Sequence, residues 1–266
     1  MAQMKEKRTR KIGKGSQILA SVLVNAVYAM LNYPVMLLNS FLTPFSLLLV
    51  ITFVSHGTLI GIAIIGGIMM SMLSSGIGLQ GDLSHMKNDF KLQDMVISSE
   101  TGPFVYLIGM SLSELVYSIP ALIVLIVLAL VFIHTTVLGW LMIIGAAFMI
   151  FLFSISVGFL LSNISSDIVQ SYAFAALLGT LLSTLPPVYY PITYLPLPYR
   201  YLAYLSPTTY VAQIAQDAAG FLPIPALNLY LDWAVMIALS AIILFVAIKK
   251  NRWSVERSVP RRAAKA

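Results

Sequence analysis

The chain contains no cysteine, which removes disulfides, thiol nucleophiles and cysteine-held metals from consideration. Charge is nearly as scarce. Only 10% of the 266 residues are Asp, Glu, Lys or Arg, against about 25% in an ordinary soluble domain, so a free-standing globular protein is excluded. No Gly-x-x-x-x-Gly-Lys-Ser/Thr phosphate loop occurs; Gly13-Lys14-Gly15-Ser16 has neither the spacing nor a preceding strand. The chain therefore cannot hydrolyse nucleotide by itself. Neither a Ser/His/Asp arrangement, nor His-Glu-x-x-His, nor a paired-carboxylate motif is present, and the acids are scattered, with Asp82, Asp89, Asp94, Glu100 and Asp167 toward one predicted side and Asp217 and Asp232 near the other. His56 and His134 fall in separate short turns with no carboxylate beside either, which reads as surface histidine rather than a metal site.

What the chain has instead is oil. Hydrophobic residues make up 59% of it and the mean hydropathy is +0.90. Successive apolar stretches of about 20 residues, each long enough to cross a bilayer, use up nearly all of the length. The expected class is an all-α polytopic membrane protein of one transmembrane domain, 1–266, with no room for a separate catalytic domain. Residues 1–15 carry Lys5, Lys7, Arg8, Arg10, Lys11 and Lys14 against Glu6 alone. A basic start before an apolar run resembles a signal peptide, but no small-x-small cleavage site is evident, and the segment reads as a cytoplasmic anchor.

The apolar run from Ser16 to Val54 is almost twice the length that one span of about 20 residues needs, and Pro34 divides it. Gln17, Ser21, Asn25 and Asn32 form one narrow polar stripe at helical spacing, which suits a helix lying in the membrane surface (1–33 with the basic tail) or the wet face of a true span. Pro34 to Val54 is the first predicted crossing, with Pro44 as a kink, and Thr58 to Gln80 the second (34–80), its Gly and Ser residues giving small surfaces for close helix contact. Phe104 to Phe132 makes a third, overlong helix. It carries Glu114, which is either a substrate- or proton-handling acid within the membrane or, because the helix overshoots and Pro120 can bend it, a residue near the headgroups. Thr136 to Ser162 and Ile168 to about Leu185 are the fourth and fifth crossings (104–185), and Asn228 to Ile248 is the sixth (228–248).

Two stretches interrupt the oil. Residues 81–103 hold six charged residues in a water-facing loop, where Ser84 can cap a short amphipathic helix bearing Met86, Phe90, Met95, Val96 and Ile97, a shape suited to a partner's groove. Residues 186–225 hold eight of the thirteen prolines and, from Tyr189 to Tyr210, seven of the thirteen tyrosines. No continuous helix is possible there. Two short helices, Tyr199 to Leu205 and Thr208 to Ala219, are expected to dip into the outer leaflet within an outer segment 186–227, since tyrosine favours the interface. The tail 249–266 carries seven basic residues against Glu256. With six crossings and both termini inside, 15 of the 16 Lys and Arg residues face the cytoplasm and Arg200 alone lies outside, in line with the positive-inside rule. The net charge of +6 thus reports orientation in a cell membrane rather than nucleic-acid binding.

Two segments carry a family resemblance. Lys87-Asn88-Asp89-Phe90-Lys91-Leu92-Gln93-Asp94-Met95-Val96-Ile97, followed by Gly109, resembles the coupling segment of the membrane subunits of type-2 ABC exporters. The stretch from Tyr194-Leu195-Pro196 to Tyr204-Leu205-Ser206-Pro207-Thr208-Thr209-Tyr210 is similar to the segment that precedes the last span in the same subunits. Phe90, Lys91 and Ser99 depart from the family's usual glycine, threonine and proline. The resemblance covers nearly the whole chain and implies six spans, an N-terminal interfacial helix, a coupling helix and re-entrant helices before the last span. It also implies a separate cytoplasmic ABC ATPase that brings ATP and magnesium, no cofactor in this chain, and a second permease subunit, identical or different. Lys87, Asp89, Phe90, Lys91, Gln93 and Asp94 would contact the ATPase. Met69, Met70, Met72, Glu114, Tyr172, Phe174 and Thr180 would line a path for an amphipathic or hydrophobic compound, drug or lipid-linked glycan leaving the cell. From the residues alone, a proton-coupled transporter using Glu114 and a non-transporting membrane scaffold stay open beside this reading.

Overall fold

In the computed structural model, residues 13–88, 102–165, 167–184 and 186–250 are described, and among them every regular element is helical. The elements are α1 (Lys14–Asn32), α2 (Pro34–Val54), α3 (Ile60–Asn88), α4 (Pro103–Phe132), α5 (Val137–Ile164), α6 (Ile168–Thr184), α7 (Tyr199–Ala203), α8 (Pro207–Ala218) and α9 (Ala226–Lys250). A π-helical turn at Leu23–Val27 interrupts α1. Among the described residues, five segments are long and apolar enough to cross a membrane: Lys14–Asn32, Ile60–Met86, Phe104–Phe132, Val137–Ile164 and Ala226–Lys250. α6 is a shorter apolar helix, and α2, with Pro44 inside it, runs for 21 residues.

The bundle is built around α3. It packs against α2, α4, α5, α6 and α8, and 83% of its most apolar stretch is buried, against 22% for α4 and for α9. Small residues allow this. A Cβ on Gly76 would sit 1.9 Å from Ser154 Oγ, and one on Gly158 would sit 2.5 Å from the Gly76 carbonyl oxygen, so α3 and α5 touch backbone to backbone. Ser154 Oγ donates to Phe151 O at 2.9 Å and to Met72 O at 3.3 Å, which ties the two helices at that crossing. The main core gathers Ile64, Ile65, Met69, Leu73, Leu125, Ile150, Ile214 and Met236 around this axis.

Two departures from the sequence reading stand out. The second crossing was expected to end at Gln80, with Ser84 capping a new helix; instead α3 continues unbroken to Asn88, and Ser84 is fully buried inside it. The polar residues 80–84 face other helices as well as water, so falling hydropathy marks a change of neighbour there, not the end of a helix. The polar stripe of α1 was expected to face water. Ser21 and Asn25 instead face α4: Asn25 Nδ2 reaches Met110 Sδ at 3.3 Å, and Gly109 comes so close that a Cβ there would lie 2.8 Å from Ser21 Oγ. The outward face of α1 is the apolar one, with Leu19, Val24, Tyr28 and Leu31 exposed.

The α2–α3 turn, the α4–α5 connection and residues 186–225 share one end of the bundle, here called the proline-rich end. The turn after α2 carries His56 at φ 51° and Gly57 at φ 82°, and both His56 and His134 are exposed. Short helices occur where expected, at Tyr199–Ala203 and Pro207–Ala218. Pro207 takes the first helical position, where its missing N–H costs nothing. α8 is deeply buried against α5 and α9. Gln216, inside it, spreads its amide over the carbonyls of Pro187, Val188 and Tyr190 at 3.4, 3.4 and 3.5 Å, which pins the irregular chain to the helix. Arg200 Nη2 donates to Thr193 O and Leu195 O at 3.1 and 3.2 Å. Arg200 thus ties its own loop through one nitrogen, while its Nε is buried without a partner.

Candidate functional site

Opposite the proline-rich end, α3, α4 and α6 bring polar groups together in an otherwise apolar bundle. Ser75 Oγ donates to the Glu114 carbonyl at 2.7 Å and fixes α4 against α3. One turn further along α3, Gly78 leaves room for the Glu114 carboxyl, whose Oε2 lies 3.1 Å from where a Cβ would be. Asp82, a turn beyond, is hydrogen-bonded to Glu114 through its side chain. Tyr106, Tyr117 and His85 lie within electrostatic reach of the pair. Sequence reasoning singled out Glu114 but treated Asp82 as a scattered loop acid; the signal available was the i, i+4 spacing of Gly78 and Asp82 on a helix that had not been extended far enough.

On its other side, α3 is clamped to α6. The buried Gln80 donates through Nε2 to the Ser171 carbonyl, and Ser171 Oγ returns a bond to Gln80 O at 3.3 Å. The ring of Tyr172 lies over Gly81, 3.2 Å from a Cβ built there. Neither Gln80 nor Ser171 was singled out from the sequence, although a glutamine in an apolar run is itself such a signal.

The expected path residues separate in the structure. Met69, Met70 and Met72 are buried in the main core. Thr180 lies on the exposed side of α6, with its Oγ1 donating to Ala176 O within its own helix; Tyr172, though exposed, keeps its ring against Gly81, and Phe174 is half-buried. Glu114 stays with Asp82 between α3 and α4. Lys87 lies in the last turn of α3, while Asp89, Phe90, Lys91, Gln93 and Asp94 lie outside the described residues. The described residues resume at Gly102, about two turns before Gly109 and its contact with α1.

The model of the ABC-2 type transporter family matches residues 17–218. The chain belongs to the ABC-2 type transporter family. The matched region runs from the polar stripe of α1 to the end of α8 and takes in the whole α3–α4 connection. A comparison with curated proteins found no match. As an ABC-2 membrane domain the chain is a permease component of an ABC transporter, a family in which the ATPase normally resides in a separate subunit. Multi-pass membrane insertion follows from the family and the apolar helices together.

Proposed function

We propose that this ABC-2 permease is the membrane half of an ATP-driven exporter, with α2, α3, α4, α5, α6 and α9 as six crossings, both termini cytoplasmic and α1 in the inner interface. A separate ABC ATPase would bind ATP and magnesium and grip the 81–103 connection through Lys87, Asp89, Phe90, Lys91, Gln93 and Asp94. A second permease subunit would complete the path along the exposed side of α6. The cargo would be an amphipathic or hydrophobic compound, a drug or a lipid-linked glycan. The observation that carries this reading is the family match across the α3–α4 connection, whose ends are anchored on three helices that would move as one.

The experiment is affinity purification of the chain from its native membrane in mild detergent. Co-purification of an ABC ATPase, lost in the Phe90→Ala, Asp94→Arg double variant, is the expected result. An ATPase retained by the double variant would move docking to another surface, and no ATPase at all would remove the reading. The contact between Asp82 and Glu114 favours a second reading, transport driven by protons. That reading expects transport that survives ATP depletion, collapses with the proton gradient and disappears in Glu114→Gln.

A further inference from the structure

At the proline-rich end, α8, the residues before it and the first turns of α9 enclose a cavity of about 360 Å³. Its polar wall is made by Tyr204, Tyr210, Gln213, Asn228 and Asp232. Asp232 is only 5% exposed, and its Oδ2 is buried without a hydrogen-bond partner. Burying a carboxylate without a donor is among the costliest arrangements a protein can hold, and such groups are normally paired. Among the described residues, no lysine or arginine pairs with it. Arg200 is the only lysine or arginine between Lys91 and Lys249, and its guanidinium bonds the Thr193 and Leu195 carbonyls. Two of the donors in the lining are turned elsewhere: the Tyr210 hydroxyl donates to Tyr204 O at 2.7 Å and Gln213 Nε2 donates to the Tyr204 hydroxyl at 3.2 Å.

The cavity therefore presents an unpartnered carboxyl group and aromatic faces. The Tyr204 and Tyr210 rings stand 6.0 Å apart at 49° and form a corner beside the carboxylate, the arrangement that attracts a cation to ring faces. A bare metal ion fits poorly, because a single carboxylate gives few of the oxygens a hard cation requires and the volume lies in the range of organic-ligand pockets, roughly 300–1,000 Å³. Ile224, Leu231 and Val235 add an apolar side to the same space.

We propose that this cavity binds an organic ammonium group, with the charge against Asp232, the Tyr204 and Tyr210 rings around it and an apolar substituent along Ile224, Leu231 and Val235. Two sources supply that chemistry, a free amphipathic amine and the ammonium headgroup of a lipid. The site stands on the cavity and the unpartnered carboxylate, and it is read out by binding without ATP, so its failure leaves the ATPase reading untouched.

The test uses the full chain in phosphatidylglycerol nanodiscs and titration calorimetry with choline, its uncharged isostere 3,3-dimethylbutan-1-ol, and benzyltrimethylammonium. The expected order is benzyltrimethylammonium tightest, choline next, and the neutral isostere weaker than choline by about tenfold or more. Asp232→Asn should remove that preference, whereas Asp232→Glu should keep part of it. Equal binding of choline and its isostere by the unaltered chain would overturn the proposal and needs no variant. Undiminished ammonium binding by an Asp232→Asn protein with a native thermal transition would overturn it too, as would displacement of benzyltrimethylammonium by millimolar calcium. Should Asp232→Asn fail to fold, Tyr204→Leu tests the aromatic corner and is expected to weaken both ammonium probes while leaving the isostere unchanged. Nanodiscs containing phosphatidylethanolamine separate the sources, because competition by that lipid assigns the site to a headgroup and its absence assigns it to a free amine.

Discussion

Where α5 crosses α3, a Cβ at Gly158 would come within 2.5 Å of the Gly76 carbonyl oxygen and 3.4 Å of the Gln80 N. Backbone cannot yield there as a flexible side-chain tip would, so Gly158→Ala must push the two most tightly packed helices apart. Forcing extra atoms into a close-packed contact costs about 1–3 kcal/mol. On α6, by contrast, a Cβ on Gly179 meets nothing within 4 Å, and replacing a helical glycine by alanine gains up to about 1 kcal/mol. Thermal unfolding in detergent, followed by size-exclusion chromatography, should therefore show a lowered midpoint for Gly158→Ala and an unchanged or raised one for Gly179→Ala. Equal shifts in both would mean that α3 and α5 do not meet backbone to backbone. At this scale the sequence announces that glycines in an apolar run serve packing, but not which neighbour each one meets. That knowledge depends on pairs such as 76 and 158, far apart in the chain.

Among the elements, α1 tests how a stripe is to be interpreted. Four polar residues along an apolar helix have two physical outlets, water or another helix, and periodicity alone does not choose between them. The choice is made by α4, which offers Gly109 for close approach, Met110 as an acceptor for Asn25, and Ser113, whose Oγ lies 3.4 Å from Ser21 O. Since the chain has no cysteine, pairs introduced by mutation report contacts without background. Asn25→Cys with Met110→Cys should form an intramolecular disulfide under mild oxidation, seen as a shift in non-reducing gel mobility. Val24→Cys, on the exposed side, with the same partner should not. Crosslinking by Val24→Cys alone would rotate α1 and return its polar stripe to water. Helix ends were legible where proline or a capping threonine marks them: Pro34 opens α2, Pro207 opens α8, and Thr136 caps α5 by accepting from Gly139 N at 3.1 Å. They were misread where polarity changes without a breaker, at 80–88. Asp232 went unrecognised for a related reason. Its cavity joins residues 204–213 to residues 224–235, and the folding of the proline-rich segment that brings them together leaves no periodic trace.

For the whole molecule, α6 is the element least accounted for by a single chain. It leans on α3 through the Gln80–Ser171 bonds and the Tyr172–Gly81 contact, yet Val169, Leu177, Thr180 and Leu181 are exposed along its other side. Exposure of that kind is expected on α4, whose Ile123, Val127 and Leu130 face outward from a long and very apolar helix as lipid-facing residues do. α6 is shorter and carries exposed Gln170 and Thr180, groups that suit a protein or a lined path better than hydrocarbon. If a second permease subunit covers this side, Thr180→Cys in the otherwise cysteine-free chain should form an intermolecular disulfide in native membranes, doubling the apparent mass on a non-reducing gel, and Val127→Cys should not. ATP trapping by a co-purified ATPase should change the extent of the Thr180→Cys crosslink, because the Gln80–Ser171 clamp makes α6 follow α3 when the 81–103 connection is pushed. Dimers formed equally by both variants would reflect random collision in the bilayer. Dimers through Val127→Cys alone would place the partner on α4 and leave Thr180 facing lipid.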